Sequence, residues 1–75
     1  MKLSELKIGE KAEVMSVENS DLGLRLMEMG LMPGEIVHLD FVAPLGDPIA
    51  ISVSDYHLSI RKLDAESITI KKVNN

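Results

Sequence analysis

The sequence predicts a mainly β domain: about five short strands curled into a small barrel, with one short helix between the first and second strands. Three observations carry that reading. Short segments of alternating apolar and polar residues recur from Lys11 onward, separated by Gly, Pro, Ser and Asp. The stretch Asn19 to Glu35, NSDLGLRLMEMGLMPGE, is the one place where the spacing is helical. A chain of 75 residues is too short for two packed sheets, so the strands must curl on themselves, which also removes exposed edges.

The elements follow in order. Met1 to Gly9 is a lead-in anchored by Leu3, Leu6 and Ile8, with Ser4 placed to cap a single helical turn and Gly9-Glu10 a turn into the first strand. Lys11 to Glu18 is that strand. Its alternation is imperfect, with Ala12 and Val14 on one face and Met15 and Val17 on the other, so it carries a bulge or is covered on both faces. In the helix, Asn19 and Ser20 are the N-cap candidates and Asp21 meets the positive end of the helix dipole. Gly30 is the stop, with Leu31 packing back onto the last turn. Pro33-Gly34 favours a type II turn. Leu22, Leu26 and Met29 share the face that buries, whereas Leu24 and Met27 fall outside that stripe.

Ile36 to Ala43 is the second strand, with Val37, Leu39 and Phe41 on one face and His38 and Asp40 on the other. Ala43 to Pro48, APLGDP, is a loop, because two prolines and a glycine forbid regular pairing. Ile49 to Ser54 is a strand with Ile49, Ile51 and Val53 inward. Ser54-Asp55 turns the chain, and Tyr56 to Lys62 alternates again with Tyr56, Leu58 and Ile60 on one face. Leu63 to Glu66 is a helical turn, Ile68 to Val73 the last strand, and Val73-Asn74-Asn75 is expected to fray. This organisation fits an SH3-like barrel best, with an OB-like barrel second, its helix more often lying between the third and fourth strands.

Composition excludes several classes. There is no cysteine, hence no disulfide and no thiolate metal site. No run approaches the roughly 20 apolar residues of a membrane span, and MKLSELKIGE lacks the apolar stretch of a signal peptide, so the expected location is cytoplasmic, without direct membrane insertion. The net charge is −4, with eight basic and twelve acidic residues. Residues 1–37 carry four basic and seven acidic groups and residues 38–75 four and five, so neither half offers the basic surface that phosphate backbones demand. Phe41 and Tyr56 alone cannot build a base-stacking platform. No nucleic-acid partner is expected.

Leu24-Arg25-Leu26-Met27-Glu28-Met29-Gly30-Leu31-Met32-Pro33-Gly34 resembles the RL-x-x-x-G-L-x-P-G signature of the FeoA family. Ala43-Pro44-Leu45-Gly46-Asp47-Pro48 resembles its A-P-x-G-D-P loop, and Leu58-Ser59-Ile60-Arg61 through Ile68-Thr69-Ile70 its closing pattern. Leu6-Lys7-Ile8-Gly9-Glu10 fits its opening, so the resemblance spans nearly the whole chain. One departure is that Ser54-Asp55-Tyr56 stands where a glycine is often found. The resemblance implies a small cytosolic SH3-like barrel of bacterial ferrous-iron uptake. Its implied role is accessory or regulatory, docking on the cytoplasmic, GTPase-containing part of FeoB, a membrane permease. A similar module ends some metal-dependent repressors, but no DNA-binding helix pair is present here.

Candidate site residues follow from side-chain chemistry. His38, Asp40 and His57 are the metal-ligand candidates, and direct Fe(II) binding and hand-over is the alternative function. They fall short of the three or four ligands in fixed geometry that a site needs, so no metal site and no cofactor is assigned. No nucleophile has a companion base, and Arg25 and Arg61 are placed for surface ion pairs rather than for insertion into a nucleotide site, so the chain is not read as an enzyme. Partner binding falls to Leu24, Arg25 and Met27 on the helix shoulder, Met32 after it, and Pro44 and Leu45 in the proline loop. Exposed apolar groups beside polar ones mark contact sites. Equally, a domain this small needs its large residues inside. Self-association through the same apolar helix is compatible with the docking reading.

Overall fold

The structure, a computed structural model, describes residues 1–73. After a 3₁₀ turn at Leu3–Glu5 come β1 (Lys11–Val17), α1 (Asp21–Glu28), β2 (Ile36–Val42), β3 (Ile49–Val53), β4 (Tyr56–Ile60), α2 (Lys62–Ala65) and β5 (Ile68–Val73). The expected number of strands and the position of the helix hold. Fraying at Asn74 and Asn75 lies outside the described residues, whereas Val73 is the last residue of β5. Glu5, not Ser4, closes the first turn: its carboxylate accepts from the Lys2 N–H at 2.6 Å.

All five strands pair antiparallel in one sheet of order β4-β3-β2-β1-β5. Their inward residues form one core with Leu3, Leu6, Leu26, Leu31 and Ala65. Among the described residues the sheet is not hydrogen-bonded shut, which corrects the expectation that closure removes edges. β5 is partly covered by the chain's start, through the Lys2–Thr69 bridge and an Ile70 N–H to Met1 carbonyl bond of 2.8 Å. β4 has no such cover among the described residues.

Two bulges explain where strict alternation breaks. In β1 the register with β5 shifts between Val14 and Ser16, so Met15 is the extra residue and Val14 and Val17 both pack on the core. In β2 the register with β3 shifts between Leu39 and Phe41. Phe41 then stands opposite Ala50, on the outer face, and is 55% exposed, while Val42 turns inward. The placement of Phe41 beside Val37 and Leu39 is therefore corrected: a period of two cannot survive an inserted residue.

The helix ends are made as the sequence predicts. Ser20 Oγ accepts from the Gly23 N–H at 3.0 Å. At the other end the Gly30 N–H reaches the Met27 carbonyl and the Leu31 N–H reaches Leu26, a Schellman closure with Gly30 at φ +107°. Leu26 and Leu31 are both buried, so the closure plants two leucines in the core, each worth roughly 1.5–3 kcal/mol of burial. In the Met32–Glu35 turn, the Glu35 N–H bonds to the Met32 carbonyl and Gly34 has φ +95°, as a type II turn demands.

One determinant lies inside the helix. A Cβ built on Gly23 would stand 1.8 Å from the Glu18 carbonyl oxygen and 3.3 Å from a Val17 methyl. The absent side chain lets the first turn of α1 press against the end of β1. Alanine is the better helix former by about 1 kcal/mol, yet Gly23→Ala must move backbone. It should destabilise the domain by about 3 kcal/mol or more, read as a lower urea midpoint.

A second prediction concerns Glu10, whose carboxylate pairs with the Lys72 ammonium and accepts from the Lys7 N–H at 2.8 Å. Lys72, then the Lys7 N–H, holds its pKa below the ordinary 4.5. Its stabilising contribution is complete above that ordinary value and fades as pH falls through the lower folded value. The stability gap between the protein and Glu10→Gln should therefore be present at pH 7 and shrink in strong acid, as denaturant titrations across that range would measure.

Candidate interaction surface

The amphipathic geometry of α1 decides which apolar groups stay outside. Leu26 faces the core, with Leu22 and Met29 packed at its margin, as their spacing predicts. Leu24, about 160° round the helix from Leu22 and Leu26, is 55% exposed, and Met32 in the following turn is 51% exposed. Met27 is half-buried and Arg25 exposed. The helix shoulder is thus not absorbed by the core.

Two shallow grooves flank this shoulder and share Met27. One runs along Val17, Leu24 and Met27, with Glu18 and Asp21 in its lining. The other, of about 420 Å³, lies between the end of α1 and the β4 edge. Met27, Met29, Met32, Tyr56 and Leu58 line it, and Glu28 is its charged member. The helix spacing alone does not reveal Leu58 or Tyr56 as part of it, because their role depends on β4 being an edge. At the nearby hairpin tip Ser54 takes φ +51° in place of the glycine, and its hydroxyl donates to Glu35 Oε1 at 3.0 Å.

The proline loop sits elsewhere. Gly46 N–H bonds to the Ala43 carbonyl at 2.7 Å, closing a turn with Pro44 and Leu45 at its apex. Leu45 is 97% exposed, the most open of the large apolar side chains. The loop precedes Ile49, whereas Glu35 and the end of α1 sit by Ser54, beyond Val53, so the two surfaces lie at opposite ends of β3, roughly 15 Å apart by strand rise. The structure therefore does not set the proline loop beside the helix.

The loop is held by a side chain whose role the sequence pattern does not disclose. Asp47 Oδ1 accepts from the Lys62 N–H at 2.9 Å, capping α2, whose own N-cap residue Arg61 offers no side-chain bond. Arg61 instead pairs with Asp64 at 3.3 Å.

The metal-ligand candidates share the outer face but do not converge. His38 and His57 stand on either side of Ser52 in one cross-strand row. His57 Nδ1 lies 3.8 Å from Asp40 Oδ2, too far for a hydrogen bond. Among the described residues no three His, Asp or Glu side chains are grouped to hold an ion. No described helix is long and apolar enough to cross a membrane.

Five strands on a single core, with α1 capped at both ends and an exposed apolar shoulder, define a small SH3-like protein. The family model for the FeoA domain matches residues 1–72, and the chain belongs to the FeoA family. It is 34% identical, over its full length, to the Fe(2+) transport protein A/Fe(2+) transporter FeoB fusion protein of Porphyromonas gingivalis, and spans 9% of that relative. The solution structure of iron(II) transport protein A from Clostridium thermocellum matches 97% of the chain and 46% of its own, at 39% identity and TM-score 0.91. Stenotrophomonas maltophilia FeoA complexed with zinc, described as a procaryotic SH3 domain protein, matches over 95% of this chain and 89% of its own, at 30% identity and TM-score 0.85. The family is associated with ferrous iron transport.

Asp47→Ala should cost about 1 kcal/mol through the lost cap and speed hydrogen exchange at Lys62 before other amides, measured by NMR on the folded protein.

Proposed function

We propose that this chain is a non-enzymatic accessory protein of ferrous iron uptake that docks on the cytoplasmic, GTPase-containing part of a FeoB-like permease and tunes transport or nucleotide turnover. The observation that carries this reading is the Porphyromonas relative, whose name joins an FeoA-type protein and FeoB in one fusion protein. Fusion keeps two partners at an effective concentration of about millimolar, which is useful only to partners that act together. Docking on that part of the permease places the chain in the cytoplasm.

The contact falls to the shoulder of α1, with Leu24, Arg25, Met27 and Met32, and to Pro44 and Leu45 as a separate second contact. Leu24, Met32 and Leu45 are large apolar groups that the core leaves in water. The hydrogen bonds across the proline loop lower the entropy lost when it is gripped. Direct Fe(II) binding by His38, Asp40 and His57 has less support, because only His57 and Asp40 approach each other.

Leu24→Asp and Leu45→Asp should each weaken binding to the permease's cytoplasmic domain by about tenfold or more, or 1.4 kcal/mol upward. Thermal unfolding of both variants should match that of the parent, since neither side chain is in the core. Pull-downs in which both variants are retained as well as the parent would remove the proposed surface.

A further inference from the structure

The β4 edge is open in a way that the β5 edge is not. Val53 and Tyr56 flank a two-residue hairpin and form its first hydrogen-bonded pair. By alternation Leu58 and Ile60 also bond toward β3, opposite Ile51 and Ile49. The N–H and C=O groups of His57 and Ser59 therefore point away from the sheet, and no other described backbone group reaches them. Natural edges are usually blunted by lysine, proline, a bulge or a covering segment. β4, YHLSI, has none of these; its bulge-free register runs from Ile49 through Val53 against Ile60 through Tyr56.

Beside that edge lies the groove lined by Met27, Met29 and Met32, whose flexible thioethers adapt to varied apolar side chains. Carboxylates stand in the groove, at the hairpin tip and on the outer face. Glu28 lines the groove, Asp55 precedes Tyr56, Glu35 is held at the hairpin tip, and Asp40 lies near His57. Between Ala12 and Ile60 the chain has eight carboxylates and one cation, Arg25, and Arg61, directly after β4, is paired with Asp64.

We propose that β4 accepts an extended segment of a partner protein as an added strand, one in which apolar residues alternate with lysine or arginine. Backbone pairing to His57 and Ser59 supplies the register, as in other strand-addition complexes. Apolar side chains on one face of the segment enter the methionine groove, and its cations, which alternation sends to the opposite face, meet Asp40 beside His57. The inference goes beyond the docking reading and holds whichever protein supplies the strand.

The test titrates isotopically labelled protein with a capped hexapeptide of alternating lysine and valine, followed by NMR. Expected are saturable shifts of the His57 and Ser59 amides and of the Met27, Met29 and Met32 methyls, with severalfold slower hydrogen exchange at His57 and Ser59. The matching glutamate–valine peptide should not bind. Asp40→Lys, a change at an exposed outer-face carboxylate, should weaken binding about fivefold or more. Ser59→Pro should abolish it while the β3–β4 ladder persists, since that N–H serves no internal bond. Absence of binding, equal binding of both peptides, or shifts that map away from β4 would overturn the proposal. So would concentration-dependent shifts without peptide that join β4 to Lys71 and Lys72, which would assign the edge to a second copy of this chain.

Discussion

The close approach of α1 to the end of β1 sets the rest of the molecule. With no side chain at Gly23, the Glu18 carbonyl occupies the space a Cβ would take. Helix and strand therefore meet through backbone, and the helix has little freedom to roll. Its roll angle decides that Leu26 points into the core and Leu24 into water. The Schellman closure then fixes Leu31 a turn later and releases Met32 to the surface. A helix of eight residues is too short to be stable alone. It exists because its ends are capped and one stripe is buried, and the same geometry leaves the other stripe unburied.

Elements written by local chemistry were legible in the sequence. Ser20, Gly30 and the Pro33-Gly34 turn each follow from a rule about one or two residues and their own backbone, and each is formed as those rules demand. Strand faces were legible until an insertion intervened. Nothing in the composition of LDF distinguishes a strand that continues from one that bulges at Asp40, because the bulge is fixed by the partner strand's register. Gly23 offered a signal, an isolated glycine within a helical pattern, but what it accommodates is set by a carbonyl on another element. Asp47 is similar: an aspartate in a proline loop reads as turn chemistry, and its bond to Lys62 exists only once the two segments meet.

The candidate surface was legible in part for the same reason. Leu24, Met27, Met32 and Leu45 were marked by being apolar where the local pattern had no use for them, and Leu24, Met32 and Leu45 are largely exposed. Their mutual arrangement was not legible. The helix shoulder and the proline loop lie at opposite ends of β3, so one small partner segment cannot cover both; a larger body, such as a folded domain, could. The histidine pair shows the converse. His38, Ser52 and His57 fall into a single row through register, yet the two histidine backbones then stand two strands, roughly 10 Å, apart instead of closing around an ion.

An open edge beside an apolar groove is ordinarily a hazard, since a second copy can pair with it as readily as a partner can. Charge changes that balance here. Two β4 edges paired in parallel would bring carboxylate against carboxylate at the hairpin end, where Glu35 and Asp55 sit, whereas an antiparallel pair would set Asp55 of one copy near Arg61 of the other. Like charges close across an interface oppose it, and the penalty grows as water is expelled. Most cations lie toward the chain's start and β5, where Lys2 bridges the edge and Lys72 is engaged by Glu10, while Arg61, directly after β4, is held by Asp64. The carboxylates thus oppose the parallel image of the edge and favour a basic strand. An edge that was merely blunted with lysine would be protected from both. A bare β4 with carboxylates at its hairpin end and outer face leaves the edge usable, and in the proposed complex charge selects what uses it.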